Sequence, residues 1–220
     1  MIRRIASLTT LLLFTLSCST MPFGDLFATQ PLRSADDLVR IDADLPGLLD
    51  LREDHGIGSY DEFLIPDATL SYKRGSRILT KPAEEVFLSL LKQTLVDATK
   101  AADISIVTEP GPCVMEIDLA VVGMKLQTRN RAKELADLTI VMEFRDSRSR
   151  EPLLRYTTEN RVENASKGVS DKQLQRGFDR IIADLNITVA IRATSGSDAP
   201  INPECKGTLA SHGKTIADQR

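Results

Sequence analysis

The chain has 220 residues, 28 basic and 31 acidic side chains, a net charge of −3, no Trp and 5% aromatics. Such a balance argues against general nucleic-acid binding, which needs a positive phosphate-facing surface, and few aromatics are present to stack on sugars or bases. The length suits one domain with a real core.

The N-terminus reads as an export signal. Met1-Ile2-Arg3-Arg4 is followed by an apolar run from Ile5 to Leu16 and then Ser17-Cys18. A basic n-region, a short h-region and a small residue before cysteine form the layout of a bacterial lipoprotein signal. The run is far shorter than the roughly 20 residues of a spanning helix. Ser17 fits the lipobox, while Thr15 stands where Leu is usual and Leu16 comes one place late. The expectation is cleavage of residues 1–17 and lipidation of Cys18, so that the membrane is reached through an acyl anchor. The alternative is ordinary cleavage there or near Ala28, leaving a soluble periplasmic protein. Ser19 in place of Asp implies outer-membrane sorting, by resemblance to known lipoproteins. Loss of Arg3 and Arg4 leaves 26 basic against 31 acidic residues, a net charge of −5.

Residues 18–37, rich in Ser, Thr, Pro and Asp, read as a flexible tether. Residues 38–194 are expected to form the domain. Within it, 60–72 predicts a first strand, with Pro66 marking an edge or bulge. Thr80-Lys81-Pro82 predicts a helix start, reinforced by Glu84 and Glu85 near the positive end of the dipole. Phe87, Leu90, Leu91, Leu95 and Ala98 supply its apolar stripe. Ile104–Val107 predicts a short strand, punctuated by Pro110-Gly111-Pro112. Met115, Ile117, Leu119 and Val121 alternate with Glu116, Asp118, Ala120 and Val122, a half-buried strand. A polar loop leads to a second alternating run, Leu138, Ile140, Met142 and Phe144. After a turn at 146–152, Leu153–Val162 predicts a further strand. Ser170-Asp171 opens a last helix with Leu174, Phe178, Ile181, Ile182, Leu185 and Val189 on one face. Residues 195–220 show no period and read as a disordered tail.

The fold class expected is therefore α+β. One two-layer domain would carry a mixed, mostly antiparallel sheet, with two main helices packed on one face. The strand–helix–strand step predicts a parallel first pairing where those strands are neighbours.

With Cys18 lipidated, Cys113 and Cys205 remain in an oxidising compartment, and a disulfide between them is possible. The alternative is two separate thiols. No metal site, cofactor or catalytic residue is expected. His55 sits in Glu53-Asp54-His55-Gly56 and reads as a solvated turn, and His212 lies in the tail, so zinc has no ligand set. Gly213-Lys214-Thr215 lacks the glycine spacing of a phosphate loop, and no nucleophile elbow occurs. Glu84-Glu85 and Asp36-Asp37 read as a helix start and as tether. The sequons at Asn164 and Asn186 carry no weight behind a bacterial signal. Two basic clusters, Lys125, Arg129, Arg131, Lys133 and Arg145, Arg148, Arg150, Arg155, could touch anionic head groups or be solvated loops. In a meander they fall at opposite sheet ends.

The Tyr60-Asp61 start, the Pro66 strand, the Pro110-Gly111-Pro112 turn entering a long alternating strand and Asp146-Ser147 in the last hairpin resemble a bacterial lipoprotein family, domain of unknown function 3313. The resemblance spans roughly 35–192 and is strongest over 110–122. Members commonly continue Asp-Ser-x-Thr-Gly, whereas this chain has Asp146-Ser147-Arg148-Ser149-Arg150, and Phe178 stands where a Trp is expected. The resemblance implies fold and location without supplying catalytic residues.

The function expected is a non-enzymatic lipoprotein of the outer membrane facing the periplasm, a structural or protein-interaction module with envelope-protein partners. A lipid- or small-ligand carrier and an envelope-polymer hydrolase are the alternatives. The carrier needs a cavity between sheet and helices, and the hydrolase needs a cleft with two close carboxylates.

Overall fold

The computed structural model describes residues 35–43, 45–129, 133–163, 171–184 and 204–209. The signal segment, Cys18, most of the tether and the tail apart from 204–209 lie outside the described residues.

The alternating strands build the centre of the fold. β1 (Val39–Ile41), β2 (Leu48–Leu51), β3 (Glu62–Leu64), β4 (Thr69–Tyr72), β5 (Ser105–Val107), β6 (Val114–Arg129), β7 (Lys133–Asp146) and β8 (Pro152–Glu163) form one mixed sheet. Its order is β1-β2-β8-β7-β6-β3-β5, and β4 also pairs with β6. β6, β7, β8, β2 and β1 are joined antiparallel, while β3 runs parallel to both β5 and β6. Two helices, α1 (Lys81–Ala101) and α2 (Asp171–Asp184), complete an α+β domain.

Register explains where the core sits. Ile117, Phe144, Leu154 and Leu51 stand side by side across four strands, as do Leu119, Met142, Tyr156 and Leu49. All eight are buried and share one hydrophobic cluster with Phe87, Leu91 and Leu95 of α1 and Phe178, Ile181 and Ile182 of α2. Phe87 and Phe178 meet edge to face with centroids 5.0 Å apart. The helices therefore cover one sheet face, and residues of opposite parity form the other.

Several elements differ from the sequence reading. The 60–72 segment is two strands, because Pro66 interrupts the ladder between β3 and β4. Ala98 is exposed, and Thr99 is the buried residue of the last helical turn, its hydroxyl donating to the Leu95 carbonyl at 2.8 Å. β1 and β2 carried too few residues for a period to show. They turn back through Gly47, where a Cβ would meet the Thr157 carbonyl at 2.6 Å and the Tyr156 ring at 2.7 Å. The expected polar loop after Val122 is instead more strand. The β6–β7 register shifts between Val122 and Lys125 around Gly123, whose φ is +65°. That bulge inverts the parity: odd residues point inward up to Val121, and Met124 does so beyond it. A period-two reading stops at such a point although the strand continues.

Candidate functional site at the sheet rim

The motif residues of the resemblance converge where β6 begins and β7 ends. The Tyr60 hydroxyl donates to Asp146 Oδ2 at 2.9 Å. Asp146 Oδ1 accepts the backbone N–H of Arg148 at 3.0 Å and of Ser149 at 2.7 Å, which sets the β7–β8 turn. Ser147, buried, donates its hydroxyl to the Gly111 carbonyl at 3.0 Å and accepts the Gly111 N–H at 3.1 Å. Its own N–H bonds the Val114 carbonyl at 3.1 Å. The Pro110-Gly111-Pro112 turn is thus tied to the hairpin by one serine.

A cavity of about 360 Å³ lies beside these ties, lined by Arg52, His55, Ser59, Tyr60, Asp146 and Glu151 among others. Its charged groups face one another. Arg52 pairs with Asp54 at 2.5 Å and with Glu151 at 3.0 Å. His55 is 4% exposed, a buried turn residue rather than the solvated one expected, because its Nδ1 accepts the Ile57 N–H at 3.0 Å. Burial lowers its pKa and favours the neutral ring, with Nδ1 as acceptor. Burial, and then the bond to Asp146, push the Tyr60 phenol well above its usual range. Burial pushes Asp146 upward, but hydrogen bonds from Ser149, Tyr60 and Arg148 outweigh it and hold the carboxyl below its usual value. Tyr60 is therefore a neutral donor, and Asp146 is an acceptor with both oxygens engaged.

Residues 204–209 lie on the same rim. Cys113 and Cys205 are joined as a disulfide. Asp61 accepts the backbone N–H of Lys206 at 2.8 Å and of Thr208 at 2.9 Å, and lies 2.9 Å from the Thr208 hydroxyl. Burial raises Asp61, yet these bonds more than compensate and lower its pKa. Leu209 donates its N–H to the Tyr60 carbonyl at 3.2 Å and is 1% exposed. For these six residues the expectation of a disordered tail does not hold: a covalent link, a capping carboxylate and one buried Leu hold them. Donor atoms of Asp61, Cys113 and Cys205 fall within 4.8 Å of one another, a spacing that would suit a metal. Here the two sulfurs share a bond and the carboxylate is engaged by backbone N–H groups, so the cluster acts as a tie.

The sheet face away from the helices carries Arg145, Arg150 and Arg155 of the expected basic cluster against carboxylates, while Arg148 is exposed in the turn and makes no ion pair among the described residues. Arg155 lies between Glu143 at 2.6 Å and Asp36 at 2.5 Å. Arg145 pairs with Asp118 at 3.0 Å and with Glu143. Arg150, from the turn, pairs with Glu116, which is 2% exposed. Burial raises the Glu116 pKa despite Arg150. The cross-strand register accounts for the ladder, with Glu116 opposite Arg145 and Glu143 opposite Arg155. In the other cluster Lys125 is exposed, and the side chains of Arg129, Arg131 and Lys133 lie outside the described residues. The carboxylate partners were missed in the sequence; Glu116 and Asp118 looked like the wet face of a strand.

No family model matches the chain, and no curated protein matches it. The resemblance to domain of unknown function 3313 therefore has no family model behind it. Among solved structures, the chain is similar to a PelC dodecamer from Paraburkholderia phytofirmans at 13% identity and a TM-score of 0.36, over 67% of this chain and 97% of that one. It is also similar to a Xanthomonas campestris protein of the DUF330 family, at 9% identity and a TM-score of 0.39, over 61% and 88%. A minor lipoprotein from Acinetobacter baumannii aligns at 12% identity and a TM-score of 0.33, over 61% and 93%. Likeness at these scores carries no argument about activity, partner or assembly.

Proposed function

We propose that this protein is a lipid-anchored lipoprotein of the bacterial outer membrane, facing the periplasm and acting as a non-enzymatic structural or protein-interaction module. The observation that carries the reading is the N-terminal order of basic residues, short apolar run, Ser17 and Cys18. Support comes from the rim, where Asp146 is bound by Tyr60 and its own turn, Arg52 by Asp54 and Glu151, and Asp61 by 206–208, each contact stabilising the fold. Catalysis by acid and base needs a group with an unengaged lone pair beside a proton it can take. Among the described residues no helix is long and apolar enough to cross a membrane. The module's partner, in this reading, is another envelope protein meeting the outer sheet face or an open strand edge.

The test is the intact mass and N-terminal peptide of the mature protein extracted from membranes. A diacyl or triacyl mass on Cys18 supports the anchor. An unmodified N-terminus would mean a free periplasmic protein and would remove the basis of the proposal.

A further inference from the structure

Residues 68–83 contain four cations, Lys73, Arg74, Arg77 and Lys81, and no acidic residue, in a chain whose net charge is −3. Lys73, Arg74 and Lys81 are exposed. Among the described residues none of these three makes an ion pair, although Lys73 lines a cleft with Asp137 and Glu159 and Glu85 stands one turn on from Lys81. Arg145, Arg150 and Arg155, by contrast, rest on carboxylates. Between them Ile78 is 65% exposed, while the next residue, Leu79, is 4% exposed.

The protrusion of Ile78 is built in. The Lys73 N–H bonds the Met124 carbonyl at 3.0 Å, and the Ser76 N–H returns to the Lys73 carbonyl at 2.9 Å. Gly75 between them has φ +78°. Arg77 pairs with Leu126 of β6. The Tyr72 hydroxyl accepts the Leu79 N–H at 3.2 Å and donates to Glu84 Oε2 at 2.7 Å. Both ends of the segment are thus pinned, and the apolar side chain is held outward among cations.

We propose that the β4–α1 loop seats on an anionic phospholipid surface, with Ile78 entering the interface and Lys73, Arg74 and Lys81 meeting head-group phosphates. A single exposed aliphatic side chain in a segment with three exposed cations suits a fluid surface whose phosphates can move to each cation. A protein partner would require a shaped apolar complement larger than one Ile. Each cation near an anionic surface contributes about fivefold in affinity. Reach is sufficient. The 20 residues from Cys18 to Leu38 span at most about 70 Å, against about 53 Å for the 16 residues of β6, whose far half carries the loop. The inference rests on the envelope reading only in that a membrane must be nearby.

The chain has no Trp, so Ile78→Trp creates a single reporter in the full chain. Leu48→Trp, on β2 three strands away from β6 and 50% exposed, is the control. With phosphatidylethanolamine–phosphatidylglycerol vesicles (3:1) at 0.1 M NaCl, I78W emission should shift to the blue and L48W should not. The shift should vanish at 0.5 M NaCl, and the vesicle concentration for half effect should rise roughly 25-fold or more when Lys73→Glu and Arg74→Glu are added. An unmoved I78W signal, an equal shift with phosphatidylcholine vesicles, or a shift unaffected by the charge reversals would overturn the proposal. The mass of the mature N-terminus is read independently. A lipid on Cys18 with a silent I78W removes this inference alone, and a responsive I78W without that lipid removes only the anchor.

Discussion

Tyr60 and Asp146, 86 residues apart in the chain, meet through a single hydrogen bond of 2.9 Å that joins the start of β3 to the β7–β8 turn. Removing it with Tyr60→Phe leaves Asp146 its two backbone donors and should cost about 1 kcal/mol in urea unfolding at pH 7. The bond also helps hold Asp146 below its ordinary 3.8. A depressed folded pKa gives stability that is fully present above the unfolded value and lost as pH falls through the folded one. Below about pH 3.8 the gap between wild type and Y60F should therefore narrow. An unchanged gap down to pH 2 would show that Asp146 is not the partner that matters.

Arg150 holds a left-handed backbone, φ +64°, at the position where the resembled family carries Gly. Two terms oppose each other there. Gly would relieve about 1 kcal/mol of backbone strain. It would also strip the guanidinium from Glu116, a loss of about 1 kcal/mol because Arg150 is itself 54% exposed. Arg150→Gly should thus change stability by less than about 1 kcal/mol, whereas the same change in a Glu116→Gln background should stabilise by about 1 kcal/mol. Equal effects in both backgrounds would exclude the coupling.

The pH dependence of these variants follows from the raised Glu116 pKa. The folded state then binds its proton more readily than the unfolded state, so stability rises as pH falls from above the folded value toward the ordinary 4.5. Loss of Arg150 leaves burial unopposed and should steepen that rise, and E116Q should flatten it. Unfolding midpoints between pH 7 and pH 4.5 test the order R150G, wild type, E116Q.

The Cys113–Cys205 bond closes a loop with a sequence separation of 92. On chain entropy its removal should cost roughly 4 to 5 kcal/mol. The double change to Ser should lower the unfolding midpoint and raise amide exchange at Leu209, whose N–H bonds Tyr60. Asp61→Asn should loosen 206–208 with the disulfide intact, and protection at Lys206 and Thr208 would report it. Unchanged protection at 206–208 in Asp61→Asn would assign the tie to the disulfide alone, and unchanged protection in the double Ser variant would assign it to Asp61 and Leu209.

Phe178 is fully buried against Phe87. Phe178→Ala should cost about 3 to 5 kcal/mol, the range for an aromatic deleted from a packed core. Phe178→Trp should cost about 1 to 3 kcal/mol through overpacking. A neutral F178W would mean that the space between α1 and α2 is looser than the edge-to-face contact implies.

Much of the fold was legible because its signals are local. Alternation at 115–121 and 138–144 and the helical stripes through Phe87 and Phe178 report burial one residue at a time, so the α+β class followed. Reading failed where a local signal was weak or inverted: three- and four-residue strands at 39–51, and the strand beyond Gly123, where a bulge reverses the parity. The rim was half legible. Tyr60, Asp61, Asp146 and Ser147 stood out by resemblance, but nothing in their spacing pairs Tyr60 with Asp146 or Asp61 with 206–208.

The sequence by itself determined the class of the fold and which faces are apolar, since those depend on residue type and short-range period, and it carries the Arg3-Arg4, apolar run and Cys18 order on which the proposed anchor rests. Only the tertiary structure decided what the charges do. Cross-strand register set Arg145 and Arg155 against Asp118 and Glu143, and the β7–β8 turn brought Arg150 to Glu116, while the β4–α1 segment kept Lys73, Arg74 and Lys81 near an outward Ile78 in the chain. Charge is a property of a residue, but whether it is neutralised depends on distances that only chain folding creates.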